Sequence, residues 1–163
     1  MKILLLDDQR DLMRIYKERL AETKNEIVMV SDMGTALLVM EKARSTSPFD
    51  LLVIDLLLKR FEPSFRKEHE QVSEAMSRER FGNIPSGQAL GLRLWQSSSR
   101  MPYCYLSAHT PYWMKNLGGQ TPEFDQVTTA ELAQLLLEKG SVKLADLDTT
   151  FNMVLALWKA KGW

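Results

Sequence analysis

Apolar residues along this chain follow two rhythms. Unbroken runs at 2–7 (KILLLD), 25–32 (NEIVMVSD), 48–58 (PFDLLVIDLLL) and 101–107 (MPYCYLS) read as strands covered on both faces. Between them the period lengthens. Leu12, Ile15, Tyr16 and Leu20 share one helical face, and 34–44 (GTALLVMEKAR) and 86–98 (SGQALGLRLWQSS) read as two further helices. Apolar strands alternating with helices predict a parallel sheet flanked by helices.

The last third continues the alternation less plainly. Thr128 followed by Glu131 is a capping-box pattern, so 128–140 (TTAELAQLLLEKG) reads as a helix ended by Gly140. The stretch 141–147 (SVKLADL) then serves as a short fifth strand. Asp148 caps a final helix with Phe151, Val154, Leu155 and Trp158 on one face. The expected fold is one α/β domain over 1–163, with five parallel strands.

Two segments exceed that plan, and both follow the carboxyl ends of strands, the edge where open α/β sheets place ligands. Residues 59–85 are charged, with Phe65, His69, Val72 and Met76 at helical spacing. They read either as a helix folded back on the body or as a free arm. Residues 109–127 contain Tyr112 and Trp113, which either fill a gap beside the sheet or anchor a partner. We expect 59–85 to border the site and restrict which partner reaches it.

The 163 residues suit one domain, and the 21 basic and 21 acidic groups cancel. That balance argues against binding nucleic acid by phosphate neutralisation. No apolar run approaches the ~20 residues a membrane-spanning helix needs. Cys104 is the one cysteine, which fits a reducing, cytoplasmic setting and a small core residue. With two histidines beside it, a zinc site is not expected.

The chemistry lies in the acids. Asp7 and Asp8 end the first strand, and Asp55 lies near the end of the third, its expected neighbour. Two carboxylates ~4 Å apart repel by about 4 kcal/mol at an effective dielectric near 20. Such a cluster stays ionised only beside a cation, and a hard divalent ion such as Mg²⁺ suits oxygen donors.

These residues carry a family resemblance. KILLLDDQRDLMRIYKERLAE, DLLVIDLLL and MPYCYLSAHT resemble the receiver domain of two-component response regulators over about 1–58 and 86–108. The resemblance implies a flavodoxin-like (βα)5 fold with insertions at 59–85 and 109–127. It implies Asp55 as phosphoacceptor, with Asp7, Asp8, Asp55 and the Leu57 carbonyl organising Mg²⁺, and Ser107 as the switch hydroxyl followed by Ala108. It also implies a lysine at the end of the fifth strand, for which Lys143 is the first choice and Lys139, inside the expected helix, the second. Neither is followed by the family's usual proline, and the fifth strand has no aromatic residue at the position that couples to the switch. Leu57 and His109 match the positions that tune phosphoryl lifetime. An apolar Leu57 side chain cannot orient water, so slow hydrolysis is expected.

The implied partners are a histidine kinase or phosphotransfer protein and a downstream protein target, with no nucleic acid or membrane. The expected role is signalling rather than enzymatic, in a stand-alone regulator acting on proteins unless the chain is a piece of a longer one. Two rival readings are a phosphorylation-independent pseudo-receiver that binds partners, and a Mg²⁺-dependent phosphatase using Asp55 as nucleophile. Leu57, where such phosphatases carry an acid, weighs against the second.

Overall fold

Five short strands pair in parallel: β1 (Lys2–Leu6), β2 (Glu26–Val30), β3 (Leu51–Ile54), β4 (Tyr103–Ser107) and β5 (Leu136–Glu138). Their order across the sheet is β2-β1-β3-β4-β5. This computed structural model describes residues 1–75, 86–98, 100–110, 123–124 and 126–163. The expectations for Met76, Tyr112, Trp113 and the side chain of Leu12 lie outside the described residues.

β1 and β3 are apolar at every inner position because helices cover both faces, and Ile3, Leu4, Leu51, Leu52 and Ile54 are fully buried. The covering helices are α1 (Arg10–Ala21), α2 (Met33–Ala43), α3 (Arg66–Ala75), α4 (Ser86–Gln96), α5 (Thr129–Leu135) and α6 (Leu147–Lys161). Among the described side chains of α1, Met13, Tyr16 and Leu20 are buried and Ile15 is 43% exposed. Met13, and not Ile15, therefore belongs to the inward face with Tyr16 and Leu20.

Register fixes the site edge. Leu6 pairs with both Val30 and Ile54, Ile54 with Tyr105, and Ser107 with Glu138. The strand ends therefore converge.

The fifth strand corrects the sequence reading. Residues 141–147 form no strand: Ser141 and Val142 turn back to the Glu138 carbonyl, and Leu144–Asp146 is a turn of 3₁₀ helix. The strand is Leu136–Glu138, inside the segment expected to be helical. The capping box at Thr128 and Glu131 forms as expected, but α5 stops after seven residues. Leu136 and Leu137 then bury against opposite faces while their backbone completes the edge of β4, a pairing that outweighs helix propensity. Gly140 consequently lies in the turn after β5.

α6 begins at Leu147, so Asp148 lies in its first turn rather than at its cap. There its carboxylate accepts from Asn25 Nδ2 at 2.8 Å. Phe151, Val154 and Trp158 are buried as expected, Leu155 is half-buried, and the indole of Trp158 donates to the Tyr103 carbonyl at 2.9 Å.

The described part of the first insertion folds back on the body. Phe65 and Val72 are fully buried and His69 is nearly so, the face that the helical spacing picked out. Among the described residues no helix is long and apolar enough to cross a membrane.

Candidate functional site

Three residues lie one step past the ends of three strands, each held by one more ladder-type bond. The amide of Asp7 donates to Val30 O at 3.1 Å, that of Asp55 to Leu6 O at 2.8 Å, and that of Lys139 to Ser107 O at 3.1 Å. Their side chains meet. Lys139 Nζ lies 2.7 Å from Asp7 Oδ2 and 2.7 Å from Asp55 Oδ2. The three side chains are 7%, 8% and 2% exposed, so the ion pairs are shielded from water.

Lys139, the second choice from the sequence, is thus the lysine at the strand end. Lys143, the first choice, is exposed and precedes the 3₁₀ turn, beside a groove between α5 and α6. The correction follows from β5 lying earlier in the chain than expected.

The charges tune one another. Burial lifts the Asp7 carboxyl above its ordinary pKa, against the opposing pull of Lys139 and the Gln9 amide. For Lys139, burial works against the charge, but the hydrogen bonds to Asp55 and Asp7 outweigh it and hold the ammonium above its usual range. The cluster is therefore an ammonium gripped by two carboxylates.

Asp8 stands apart from this pair. Its Oδ2 accepts the Lys59 amide at 3.0 Å, with Lys59 Nζ at 4.0 Å. Asp7 Oδ1 accepts from the Gln9 amide at 2.8 Å, and Asp55 Oδ1 from the Leu57 amide at 3.4 Å.

The donors fit Mg²⁺ in chemical type: hard carboxylate oxygens, two of which already converge on one cationic point. Among the described residues no three acidic, histidine or cysteine side chains are grouped to hold a metal, because Asp8 turns to Lys59 while Lys139 fills the role of cation for the others.

Ser107 is fully buried at the end of β4, and its hydroxyl accepts from the His109 amide at 3.3 Å. His109 and Ala108 are exposed. β5 reads Leu-Leu-Glu, without an aromatic residue.

Several supporting residues escape sequence reasoning. The hydroxyl of Thr110, buried, lies 3.1 Å from Ser107 O and 2.8 Å from Leu137 O, tying β4 to β5. At Gly87 the start of α4 presses on the backbone of the phosphoacceptor candidate: a Cβ there would lie 1.8 Å from the Asp55 carbonyl oxygen. Next to it Gln88 reaches Glu123 Oε1 at 3.4 Å. Glu123 is buried and also accepts from Tyr103 at 2.5 Å and Tyr105 at 2.6 Å. Burial pushes the Glu123 pKa up to about 7 against those three donors. The only sequence signal for this network is the alternation that puts Tyr103 and Tyr105 on one face of β4.

Protein-family models and curated proteins give no match to the chain. Solved structures do. A sensor protein from Polaromonas sp. JS666 is 18% identical with a TM-score of 0.62, covering 95% of each chain. A response regulator receiver domain protein from Clostridium thermocellum is 18% identical with a TM-score of 0.59, covering 98% of each. The N-terminal domain of a response regulator/sensory box/GGDEF protein from Carboxydothermus hydrogenoformans is 18% identical with a TM-score of 0.57 over the whole of both chains. At such identities the likeness is one of fold: this chain has the response regulator receiver fold.

Proposed function

We propose that this chain is a phosphoacceptor domain of a two-component phosphorelay, modified on Asp55. A carboxylate oxygen of Asp55 attacks the phosphorus of a phosphohistidine on a partner kinase or phosphotransfer protein. The new O–P bond gives an acyl phosphate as the P–N bond breaks, and the imidazole nitrogen leaves with the electron pair. The observation that carries the reading is the buried Lys139–Asp7–Asp55 cluster at the carboxyl edge of this fold. Lys139 neutralises charge on the transferred group, and Asp7 keeps the ammonium in place.

Mg²⁺ is the proposed cofactor, with Asp7, Asp8, Asp55 and the Leu57 carbonyl as its protein donors. When bound it supplies neutralisation of the phosphoryl oxygens. Ser107 is the proposed hydroxyl that senses modification, and the output is an altered contact with a downstream protein.

The test is incubation with Mg²⁺ and acetyl phosphate or beryllofluoride, read by intact mass or by spectral change, with Asp55→Asn as control. Modification that disappears in the variant supports the reading. A wild-type protein that takes up neither reagent overturns it in favour of a phosphorylation-independent binding module. The aromatic-free β5 and the engagement of Asp8 with Lys59 favour that second reading. Steady release of phosphate indicates a phosphatase.

A further inference from the structure

The segment leaving β3 is fastened to the body at successive points, beginning at the site itself. Lys59 gives its amide to Asp8 Oδ2 at 3.0 Å. Three residues on, Glu62 Oε1 accepts the Gly34 amide at 3.0 Å, at the start of α2. Gly34 leaves room for that contact, since a Cβ there would lie 2.8 Å from Glu62 Oε2. Phe65 is fully buried under the guanidinium of Arg93, 3.8 Å from its ring centroid. Arg93 in turn grips Glu68 at 2.7 and 2.8 Å and bonds the Ser64 carbonyl.

One contact in this series works the other way. His69 is 3% exposed, packs on Phe61 at 4.9 Å between ring centroids, and among the described residues has no hydrogen-bond partner at either ring nitrogen. A buried polar atom left unpaired costs about 1–3 kcal/mol. The fastening is therefore opposed from within, which is the balance a releasable element needs.

We infer that residues 59–72 form a latch that competes with a divalent cation for Asp8. The inference deepens the proposed function and rests on its assignment of Asp8 as a Mg²⁺ donor. The carboxylate that would serve the cation is turned to the first residue of the latch and lies outside any three-acid group among the described residues. Turning it toward Asp7 and Asp55 gives up the Lys59 amide bond. Linkage makes the coupling reciprocal. Whatever loosens the latch raises cation affinity, and the cation loosens the latch by the same factor. Loading of the phosphoacceptor site thereby becomes visible on the surface next to α2 and α4.

Two variants push in opposite directions. Glu62→Ala removes a fastening point, while Asp32 still caps α2 through the Thr35 amide at 2.8 Å. His69→Phe keeps a flat ring against Phe61 and removes both unpaired nitrogens. Mg²⁺ affinity is measured by calorimetry, and the latch by hydrogen exchange of the 58–72 peptide with and without Mg²⁺. Saturating Mg²⁺ is expected to lower protection of that peptide in the wild type. Glu62→Ala is expected to tighten Mg²⁺ binding by about threefold to tenfold, and His69→Phe to weaken it by about as much, the scale of one hydrogen bond. Binding that is equal in all three proteins, or protection that ignores Mg²⁺, overturns the latch and leaves the cofactor assignment standing. Absence of binding in every protein overturns both, and is distinguished by the missing heat itself.

Discussion

Lys139 and Asp55 lie 84 residues apart in the chain, and their charged atoms stand 2.7 Å apart. Lys143, four positions further along, is exposed. Removing Lys139 strands two buried carboxylates, and breaking a buried ion pair from one side costs about 3–5 kcal/mol. Lys139→Ala is expected to lose that much stability at pH 7 in denaturant unfolding, and to lose Asp55 modification by acetyl phosphate. Lys143→Ala should stay within about 0.5 kcal/mol of wild type and keep the modification.

Glu123 sets a pH dependence on the opposite side of the sheet edge. Burial raises its folded pKa to about 7, from an ordinary value of 4.5. The folded protein keeps this proton where the unfolded chain releases it, so stability falls as pH rises through that window and levels off above it. The full change is on the order of 3 kcal/mol at 1.36 kcal/mol per pKa unit. Glu123→Gln keeps a polar partner for Tyr103, Tyr105 and Gln88 without the charge. The difference between wild type and variant, measured by unfolding from pH 5 to 8, should grow in the variant's favour with pH; a constant difference refutes the assignment.

His69 contributes with the reverse sign. Burial lowers its pKa, with Arg93 pulling the same way and Glu68 and Glu62 opposing. The unfolded chain takes up the proton first as pH falls below 6.5, so this contribution to stability is lost on acidification. His69→Phe should therefore unfold less readily than wild type at pH 5, by more than at pH 8.

Gly87 tests how closely the site backbone is packed. An added Cβ would lie 1.8 Å from the Asp55 carbonyl oxygen and 2.9 Å from Ile54 Cγ2, both rigid neighbours. Gly87→Ala is expected to cost about 3 kcal/mol or more, the upper range for overpacking, and to slow Asp55 modification by displacing its backbone. Gly140→Ala, with nothing within 4 Å of the new carbon, should change unfolding by less than about 1 kcal/mol.

What the sequence made legible follows from which features are local. Burial on both faces leaves its mark in composition, so β1, β3 and β4, and the acids that follow the first two, could be read directly. β5 could not, because three residues are too few to display a period and they adjoin a true capping box at Thr128 and Glu131. Its identity as a strand comes from the open edge of β4, a partner remote in the chain. The error at Lys143 follows from that one shift. The orientation of Asp8 was hidden for another reason: it is set by the Lys59 backbone amide, a group every residue but proline carries. Glu123 resembles any charged loop residue until the hydroxyls of Tyr103 and Tyr105 close on it.

The brevity of β5 has an evolutionary corollary. Alternate positions along a strand emerge on opposite sides, so the aim of residue 139 depends on parity, counted from where Leu136 enters the sheet. Deleting a single residue from Leu136–Glu138 would send the ammonium out of the acidic pair even if every pairing bond reformed. Indels on this stretch should thus be tolerated beyond Gly140 and rejected just before it.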